Sequence, residues 1–129
     1  DFEAEVMRLT NGEGVTVAYD SVGNDTMART ITSTKRRGTI IAFGQSSGPY
    51  ADFKITDLSK GSYYLSRPTL FHFVGDRSWL DAASAKLFKA VTDGTINVSI
   101  NQRFALEDVA KAHDALTGRA TTGCTILTV

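Results

Sequence analysis

TIIAFGQSSG, residues Thr39–Gly48, is the stretch of sequence that decides the fold. It begins as an apolar run of β-forming residues, which ends at Gly44 and is followed by a polar loop with two serines. A short apolar run bounded by turn signals is typical of a strand buried on both faces, in a parallel sheet covered by helices. Ligands of such sheets bind beyond the carboxyl ends of the strands. We therefore expect a ligand of this chain to contact Phe43–Ser47.

The residues before this stretch predict a strand and a helix that lead into it. Val15–Asp20 is rich in β-forming residues and is followed by the turn residues Ser21–Gly23. A strand–helix–strand unit of this size has a right-handed crossover, which makes its two strands parallel. Because parallel strands end at the same edge of a sheet, we expect Ser21–Gly23 and Gly44–Ser47 to line one crevice.

The helix between these two strands has recognisable start and stop signals. Asn24 or Asp25 can cap its first turn. The basic residues Lys35–Arg37 suit the negative end of a helix dipole and are placed in its last turn. Gly38 is then predicted to end the helix.

The rest of the chain alternates between helices and strands, as judged from apolar periodicity and from glycine and proline signals. The predicted helices are Phe2–Thr10, Ile55–Lys60 with Thr56 as its cap, Asp76–Asp93 and Leu106–Thr117, and the predicted strands are Ser62–Ser66, Ile96–Phe104 and Gly123–Val129. Thr69–Gly75 could continue a strand or form a loop. Beyond it the strands change from buried to alternating patterns, which places a boundary near Phe71–Gly75.

The composition is that of an ordinary globular domain and argues against several kinds of partner. Fourteen basic and fourteen acidic residues cancel among the 129, so nucleic-acid binding is not expected. No apolar run approaches the ~20 residues that cross a bilayer, so no membrane association is expected. Cys124, the only cysteine, fits a reducing compartment, the cytoplasm. The chain starts inside a predicted helix without an initiator Met, which suggests a piece of a longer polypeptide.

Four segments of the chain, in their order and spacing, resemble a known family. They are LTNGEGVTVAYDSVG (Leu9–Gly23), RRGTIIAFGQSSG (Arg36–Gly48), SRPTL (Ser66–Leu70) and ALEDVAKAHDALTGRATTGCTILTV (Ala105–Val129). Together they resemble the non-zinc quinone oxidoreductases, the ζ-crystallin-like enzymes of the medium-chain dehydrogenase/reductase superfamily. The resemblance covers essentially the whole chain and corresponds to the C-terminal portion of such an enzyme.

This resemblance implies an α/β fold and a division of the chain. Residues 1–72 would form the second half of a Rossmann-type parallel sheet with flanking helices, which is the C-terminal half of a dinucleotide-binding domain. Residues 73–129 would be the C-terminal segment of a GroES-like substrate domain. The family's Gly-rich dinucleotide fingerprint is expected before Asp1. Since the strand bearing it would pair with Val15–Asp20, we expect another chain or segment to cover that edge.

The resemblance also implies which residues bind a nicotinamide cofactor, although each has a purely structural alternative. Ser21 and Val22 would contact the adenosine or ribose side of the cofactor, or would simply form a turn. The nicotinamide ribose would lie against a loop that otherwise only ends a strand: Phe43, Gly44, Gln45 and Ser46.

Two further segments join this implied site. The backbone of Arg67, Pro68 and Thr69 would close over the nicotinamide amide, whereas the alternative is a strand terminator with a solvated arginine. Arg119 would approach the cofactor phosphates, for which a guanidinium is well shaped, or would be a solvated surface residue.

The implied function is hydride transfer from NADPH, or alternatively NADH, to a quinone or another conjugated carbonyl. No residue is assigned a catalytic role, and His72 and His113 lie in no pattern that resembles a metal site or a catalytic triad. The resemblance also implies a homodimer joined through the edge strand Ser62–Leu70. The alternatives are an enoyl or alkenal reductase of the same superfamily, and an inactive fragment or a non-enzymatic binding or structural module.

Overall fold

The structure is a computed structural model that describes residues 1–129, and it divides into two units after Gly75. The first unit, Asp1–Gly75, contains a sheet of three strands, and the second unit, Asp76–Val129, contains a pair of strands. Every strand pairing within the two units is parallel. No helix combines the length and the apolar character that crossing a membrane would require.

The elements of the first unit follow the predicted order with several changes of boundary. In chain order they are α1 (Phe2–Leu9), β1 (Val15–Asp20), α2 (Met27–Thr32), β2 (Thr34–Ala42), a 3₁₀ helix (Ile55–Lys60), β3 (Tyr64–Ser66) and α3 (Phe71–Val74). Lys54, not Thr56, is the N-cap of the 3₁₀ helix. Helix α3 forms where the sequence suggested a strand or a loop.

The sheet of the first unit has the strand order β1-β2-β3. Val17 lies opposite Thr39, and Asp20 lies opposite Ala42 at the carboxyl ends of the two strands. Helix α2 connects β1 to β2, so the predicted strand–helix–strand unit with parallel strands is confirmed. The residues that follow Asp20 and those that follow Ala42 therefore leave the sheet at the same edge.

Helix α2 is shorter than the sequence predicts. Its N-cap is Thr26 rather than Asn24 or Asp25, and Ser33 ends it. The basic residues Lys35–Arg37, predicted for its last turn, belong instead to β2. The prediction failed because the helix ends in β-branched residues, which favour strands over helices, and the chain after them joins the sheet.

Pairing with β1 takes over as soon as α2 ends. The backbone N–H of Val15 donates to the carbonyl oxygen of Ser33 at 2.9 Å. Val15 then pairs with Thr34, whereas Val17 pairs with Thr39, so β2 carries extra residues in a bulge. Gly38 lies in this bulge and does not end the helix; a Cβ atom there would lie 2.8 Å from the carbonyl oxygen of Lys35.

The core of the first unit lies between α2 and one face of the sheet. The buried side chains come from α2 and β2, and partly buried aromatic and aliphatic side chains surround them: Met27, Ile31, Ile40 and Ala42, then Tyr50, Phe53, Tyr63 and Leu65. Ile40 is fully buried. This packing fixes the position of β2 against α2.

The opposite face of this sheet is open, which corrects the expectation that Thr39–Ala42 is buried on both faces. Val17 on β1 and Tyr64 on β3 are exposed, and Ile41 on β2 is half-buried. The apolar run was read as two-sided burial, but within this chain it alternates, because α2 covers one face alone.

The second unit contains two helices and the remaining strands. Its elements are α4 (Arg77–Thr92), β4 (Ile100–Ala105), a 3₁₀ helix (Leu106–Asp108), α5 (Val109–Thr117) and β5 (Cys124–Thr128). The carboxylate of Asp76 caps α4 by accepting from the N–H groups of Ser78 and Trp79. Ala112 on α5 is the one buried hydrophobic residue of this unit.

Strand β4 begins later than its alternating pattern predicts. Ile96 and Val98, expected in the strand, precede it and are exposed. Pairing with β5 starts at Ile100, which lies opposite Cys124. Strand β4 therefore begins where pairing with β5 becomes possible. That this unit is part of a substrate domain stays a prediction.

Candidate functional site

Two loops at the carboxyl ends of β1 and β2 are joined to each other by backbone hydrogen bonds. The N–H of Phe43 donates to the carbonyl oxygen of Asp20 at 2.9 Å. The N–H of Ser46 donates to the carbonyl oxygen of Ser21 at 3.2 Å, and that of Ser47 to Val22 at 2.9 Å. The loops that the sequence predicted to line one crevice are thus joined along their length.

Side-chain contacts complete this junction. The hydroxyl of Ser47 donates to the carbonyl oxygen of Val22 at 2.7 Å and accepts from the N–H of Asp25 at 3.0 Å. The N–H of Asn24 donates to the carbonyl oxygen of Gly48 at 3.0 Å. We name the two segments Ser21–Gly23 and Phe43–Gly48 the crevice loops.

Gly44 lies where the crevice loops come closest. A Cβ atom at this position would lie 2.5 Å from the carbonyl oxygen of Ser21 and 2.9 Å from its Cα atom. Both are backbone atoms that cannot rotate away, so any side chain here would push the loops apart. The close approach therefore explains why this position is a glycine.

Asp20, the last residue of β1, was not singled out in the sequence and proves to be central. Its carboxylate is buried and accepts four hydrogen bonds. The Oδ1 atom accepts from the N–H groups of Val22 at 2.9 Å and Gly23 at 2.8 Å. The Oδ2 atom accepts from the hydroxyls of Thr26 at 2.8 Å and Thr30 at 2.7 Å.

The hydrogen bonds of Asp20 determine its charge state. Burial raises the pKa of this carboxyl, but bonds from Gly23, Thr30, Thr26 and Val22 together outweigh burial and leave its pKa below the ordinary value. The group is therefore a carboxylate at neutral pH. An aspartate at the end of a strand, followed by small turn residues, is the sequence signal that could have found it.

A cleft of about 170 Å³ opens beside the crevice loops. Gly44 and Gln45 form one side, and Tyr50 and Phe53 form an aromatic wall. Arg67, just after β3, borders the same cleft. A mostly apolar cleft with a few polar groups at its rim is the usual form of a small-molecule site.

The other side of the β1 loop carries a second depression. It is lined by α1, by the end of β1 and by the start of α2: Phe2, Tyr19, Asp20, Ser21, Val22, Thr26 and Thr30. The rings of Tyr19 and Phe43 meet edge to face with centroids 6.4 Å apart. The crevice loops therefore offer surfaces on both sides of their junction.

The predicted site residues fall into three groups by position. The structure brings six of them together in the crevice loops: Ser21, Val22, Phe43, Gly44, Gln45 and Ser46. Arg67 joins them through the cleft, and Pro68 and Thr69 follow it directly in the chain. Arg119 lies in the second unit, two residues after the end of α5, with a φ of 54°. Their roles in binding stay predictions.

Metal-ligating side chains are not clustered in this chain. The His, Cys, Asp and Glu residues of the chain form no group of three that could hold a metal ion. Structural and catalytic zinc sites use three or four such ligands. The residues of this chain therefore do not fit a zinc site by themselves.

A protein-family model described as zinc-binding dehydrogenase matches residues 1–127 of the chain. Among curated proteins, a quinone oxidoreductase of Pseudomonas aeruginosa is 42% identical over 123 residues, which cover 95% of this chain and 38% of that protein. A 2-haloacrylate reductase of a Burkholderia species is 37% identical over 129 residues, covering 98% of this chain and 39% of that protein. The chain spans about two-fifths of the length of these relatives.

Solved structures show the same likeness. The Escherichia coli quinone oxidoreductase complexed with NADPH matches with a TM-score of 0.89 and 36% identity, covering 100% of this chain and 40% of that one. The Pseudomonas syringae quinone oxidoreductase matches with a TM-score of 0.88 and 35% identity, again over 100% of this chain and 40% of that one. The α/β fold predicted from the sequence, with a parallel sheet and flanking helices, is confirmed.

Proposed function

Because the chain belongs to the zinc-binding dehydrogenase family, we propose that it is the C-terminal part of an NADPH-dependent quinone oxidoreductase. The observation that carries this proposal is the pair of crevice loops, which meet at the carboxyl edge of a parallel sheet and leave a cleft lined by Gly44 and Arg67. Dinucleotides bind at this edge in open parallel sheets. Quinone oxidoreductases among the relatives, one of them complexed with NADPH, support the choice of cofactor and substrate.

The residues proposed to hold the cofactor do so by backbone shape more than by charge. Gly44 lets the loop backbone approach a flat ring, while Gln45 and Ser46 offer hydrogen-bonding groups beside it. Ser21 and Val22 provide the adjoining surface across the crevice. The backbone of Arg67, Pro68 and Thr69 is proposed to close over the nicotinamide amide, and the guanidinium of Arg119 is proposed to approach the cofactor phosphates.

In this proposal the cofactor supplies the hydride, and the chain supplies binding and orientation. No side chain of the crevice is assigned as acid or base, since quinones accept electrons readily and solvent can provide a proton. We propose a zinc-independent reaction, which is what the resemblance to the non-zinc quinone oxidoreductases implies. We further propose a location in the cytoplasm, which suits the free, exposed Cys124.

Titration of the 129-residue chain with NADPH, followed by the cofactor's fluorescence, tests the proposal. We expect saturable binding that Gly44→Ala weakens by roughly tenfold or more, because the added Cβ separates the crevice loops. Gly75→Ala is the matched control, since Gly75 has an ordinary φ of −64°. Absence of binding by the wild-type chain, with its fold intact, would count against a cofactor site that functions in this chain.

A second candidate function has its own observation. The 2-haloacrylate reductase relative favours reduction of a carbon–carbon double bond next to an electron-withdrawing group. Steady-state assays of the full-length protein with a quinone and with an enone distinguish the two candidates. We expect the higher kcat/KM with the quinone, and a clear preference for the enone would select the alternative.

A non-enzymatic role is the remaining alternative. In that case the chain would fold, and the crevice would serve binding or assembly without hydride transfer. Oxidation of NADPH by the full-length protein in the presence of a quinone decides against it. Failure to oxidise NADPH with any quinone or enone would favour it.

A further inference from the structure

We propose that Asp20 is a positioning residue, whose buried carboxylate sets the shape of both crevice loops and thereby the fit of a dinucleotide cofactor. This inference rests on the proposed function for the identity of the ligand. The relation between Asp20 and the loops stands on the structure alone.

The two oxygen atoms of Asp20 hold two different elements. Oδ1 accepts from the N–H groups of Val22 and Gly23, which bends the first crevice loop tightly over the end of β1. Oδ2 accepts from the hydroxyls of Thr26 and Thr30, which belong to the start and the middle of α2. One carboxylate therefore fixes the first crevice loop relative to α2.

The influence of Asp20 continues into the second crevice loop. Once the first loop is bent, the carbonyl oxygens of Ser21 and Val22 point at the chain that follows β2. They accept from the N–H groups of Ser46 and Ser47 at 3.2 and 2.9 Å. A change in the first loop would thus displace the residues proposed to hold the nicotinamide end.

Four hydrogen bonds satisfy the buried carboxylate of Asp20, and what distinguishes it is where its donors lie. Burying a carboxylate is costly unless its charge is well satisfied, and a neutral residue could end β1 at less cost. The four donors of Asp20 converge on the crevice side of the sheet, two from the loop and two from α2. Their convergence suits a group that must hold an exposed loop in one conformation.

Three variants of the full chain separate positioning from stability. Asp20→Leu keeps the approximate size of the side chain but removes both acceptors. Asp20→Asn is the conservative rescue, because its carbonyl oxygen can still accept from Val22 and Gly23. Thr34→Val is the control for stability. It removes a buried hydroxyl at the start of β2, opposite the crevice, and this hydroxyl donates to the carbonyl oxygen of Thr30 at 2.7 Å.

The first measurement is NADPH affinity by fluorescence titration, below the melting temperature of each variant. We expect Asp20→Leu to bind roughly tenfold or more weakly, and Asp20→Asn to stay within about threefold of the wild type. Thr34→Val should bind like the wild type despite its lower stability. Equal affinity of Asp20→Leu and the wild type, or equal losses in Asp20→Leu and Thr34→Val, would overturn the proposal.

The second measurement is amide hydrogen exchange, which needs no cofactor. We expect Asp20→Leu to lower the protection of the Ser46 and Ser47 amides by roughly tenfold more than that of Ile40 in the core. Thr34→Val should not single out these amides. If the wild-type chain binds no NADPH, the proposed function fails for this chain, and the exchange pattern still decides whether Asp20 positions the loops.

Discussion

At the scale of single residues, the charge of Asp20 connects the stability of the fold to pH. The pKa of Asp20 lies below its ordinary value in the folded chain, because its hydrogen bonds outweigh its burial. A group with a lowered native pKa stabilises the fold above its unfolded pKa, about 3.9 for aspartate, and that contribution is lost as the pH falls through the native pKa. The carboxylate is therefore a stabilising group at neutral pH.

Comparison of the wild type with Asp20→Asn isolates this contribution. Several other carboxylates also have lowered pKa values because they accept side-chain hydrogen bonds, and these titrate alike in both proteins: Glu5, Asp57, Asp76 and Asp93. We expect Asp20→Asn to lower the free energy of unfolding by roughly 1–3 kcal/mol near pH 7, measured by urea titration.

The same difference between the two proteins should shrink toward zero in acid, because protonated Asp20 and asparagine are both neutral. Urea titrations repeated in steps below pH 5 measure this decrease. A difference that stays constant with pH would show that the stabilisation by Asp20 does not depend on its charge. The sign follows from the lowered pKa, and a raised pKa would give the opposite trend.

At the scale of an element, strand β2 combines two different faces. Ile40 is fully buried against α2, whereas its neighbour Ile41 is half-buried on the open face of the sheet. Successive side chains of a strand point to opposite faces, so the two isoleucines report separately on the two sides. One face of β2 packs against α2, and the other face is partly exposed to solvent.

The one-sided packing of β2 predicts unequal effects of the same substitution at adjacent positions. Ile40→Ala should lower the free energy of unfolding by about 3–4 kcal/mol, since it leaves a cavity in the core. Ile41→Ala should cost about 1 kcal/mol, because it removes partly solvated surface. Urea unfolding with an unchanged m value measures both. Equal costs would mean that the open face is covered in solution.

At the scale of the whole chain, the two units differ in how much they bury. The first unit has a cluster of buried hydrophobic residues, whereas Ala112 is the one such residue of the second unit. Exposed apolar side chains lie along α4, among them Leu87 and Phe88. Local stability depends on buried apolar contacts, so the second unit should open more readily.

Hydrogen exchange and limited proteolysis test this difference between the units. We expect the amide of Ile40 in β2 to be protected at least about tenfold more than that of Ile126 in β5. A protease should cut within Asp76–Val129 before it cuts within Asp1–Gly75. Simultaneous loss of protection in both units would show that they unfold together and that the second unit gains stability from elsewhere.

Assembly of two chains is the second prediction at this scale. The implied homodimer would join the outer edges of two β3 strands, and edge strands offer unpaired backbone groups for such pairing. We expect light scattering to give twice the mass of one chain, and Tyr64→Lys to reduce it to one. Tyr19→Lys is the matched control, because Tyr19 is an exposed tyrosine on β1, the opposite edge strand.

The outcome of the control also tests the edge strand β1. Val15–Asp20 was expected to be covered by another chain or segment, and the structure places it at one edge of the sheet. Loss of the dimer in Tyr19→Lys, but not in Tyr64→Lys, would assign the interface to β1. A monomer at every concentration would contradict assembly through either edge.

The sequence by itself determined the strand–helix–strand unit and the meeting of its two loops. Apolar runs, turn residues and the handedness of the crossover are local or general properties, so the crevice could be placed from Val15–Asp20 and Thr39–Gly48 without coordinates. For Gly44 the sequence predicted only a close approach to a flat ligand, whereas its close approach to the backbone of Ser21 was found in the structure.

Only the tertiary structure decided where α2 ends, which face of β2 is buried and what Asp20 does. Lys35–Arg37 suited a helix end locally, but pairing of the chain with β1 overrode that preference. The burial of Ile40 depends on α2, and the role of Asp20 depends on donors up to ten residues away. These features arise from competition and convergence between segments, which local patterns in a sequence do not record.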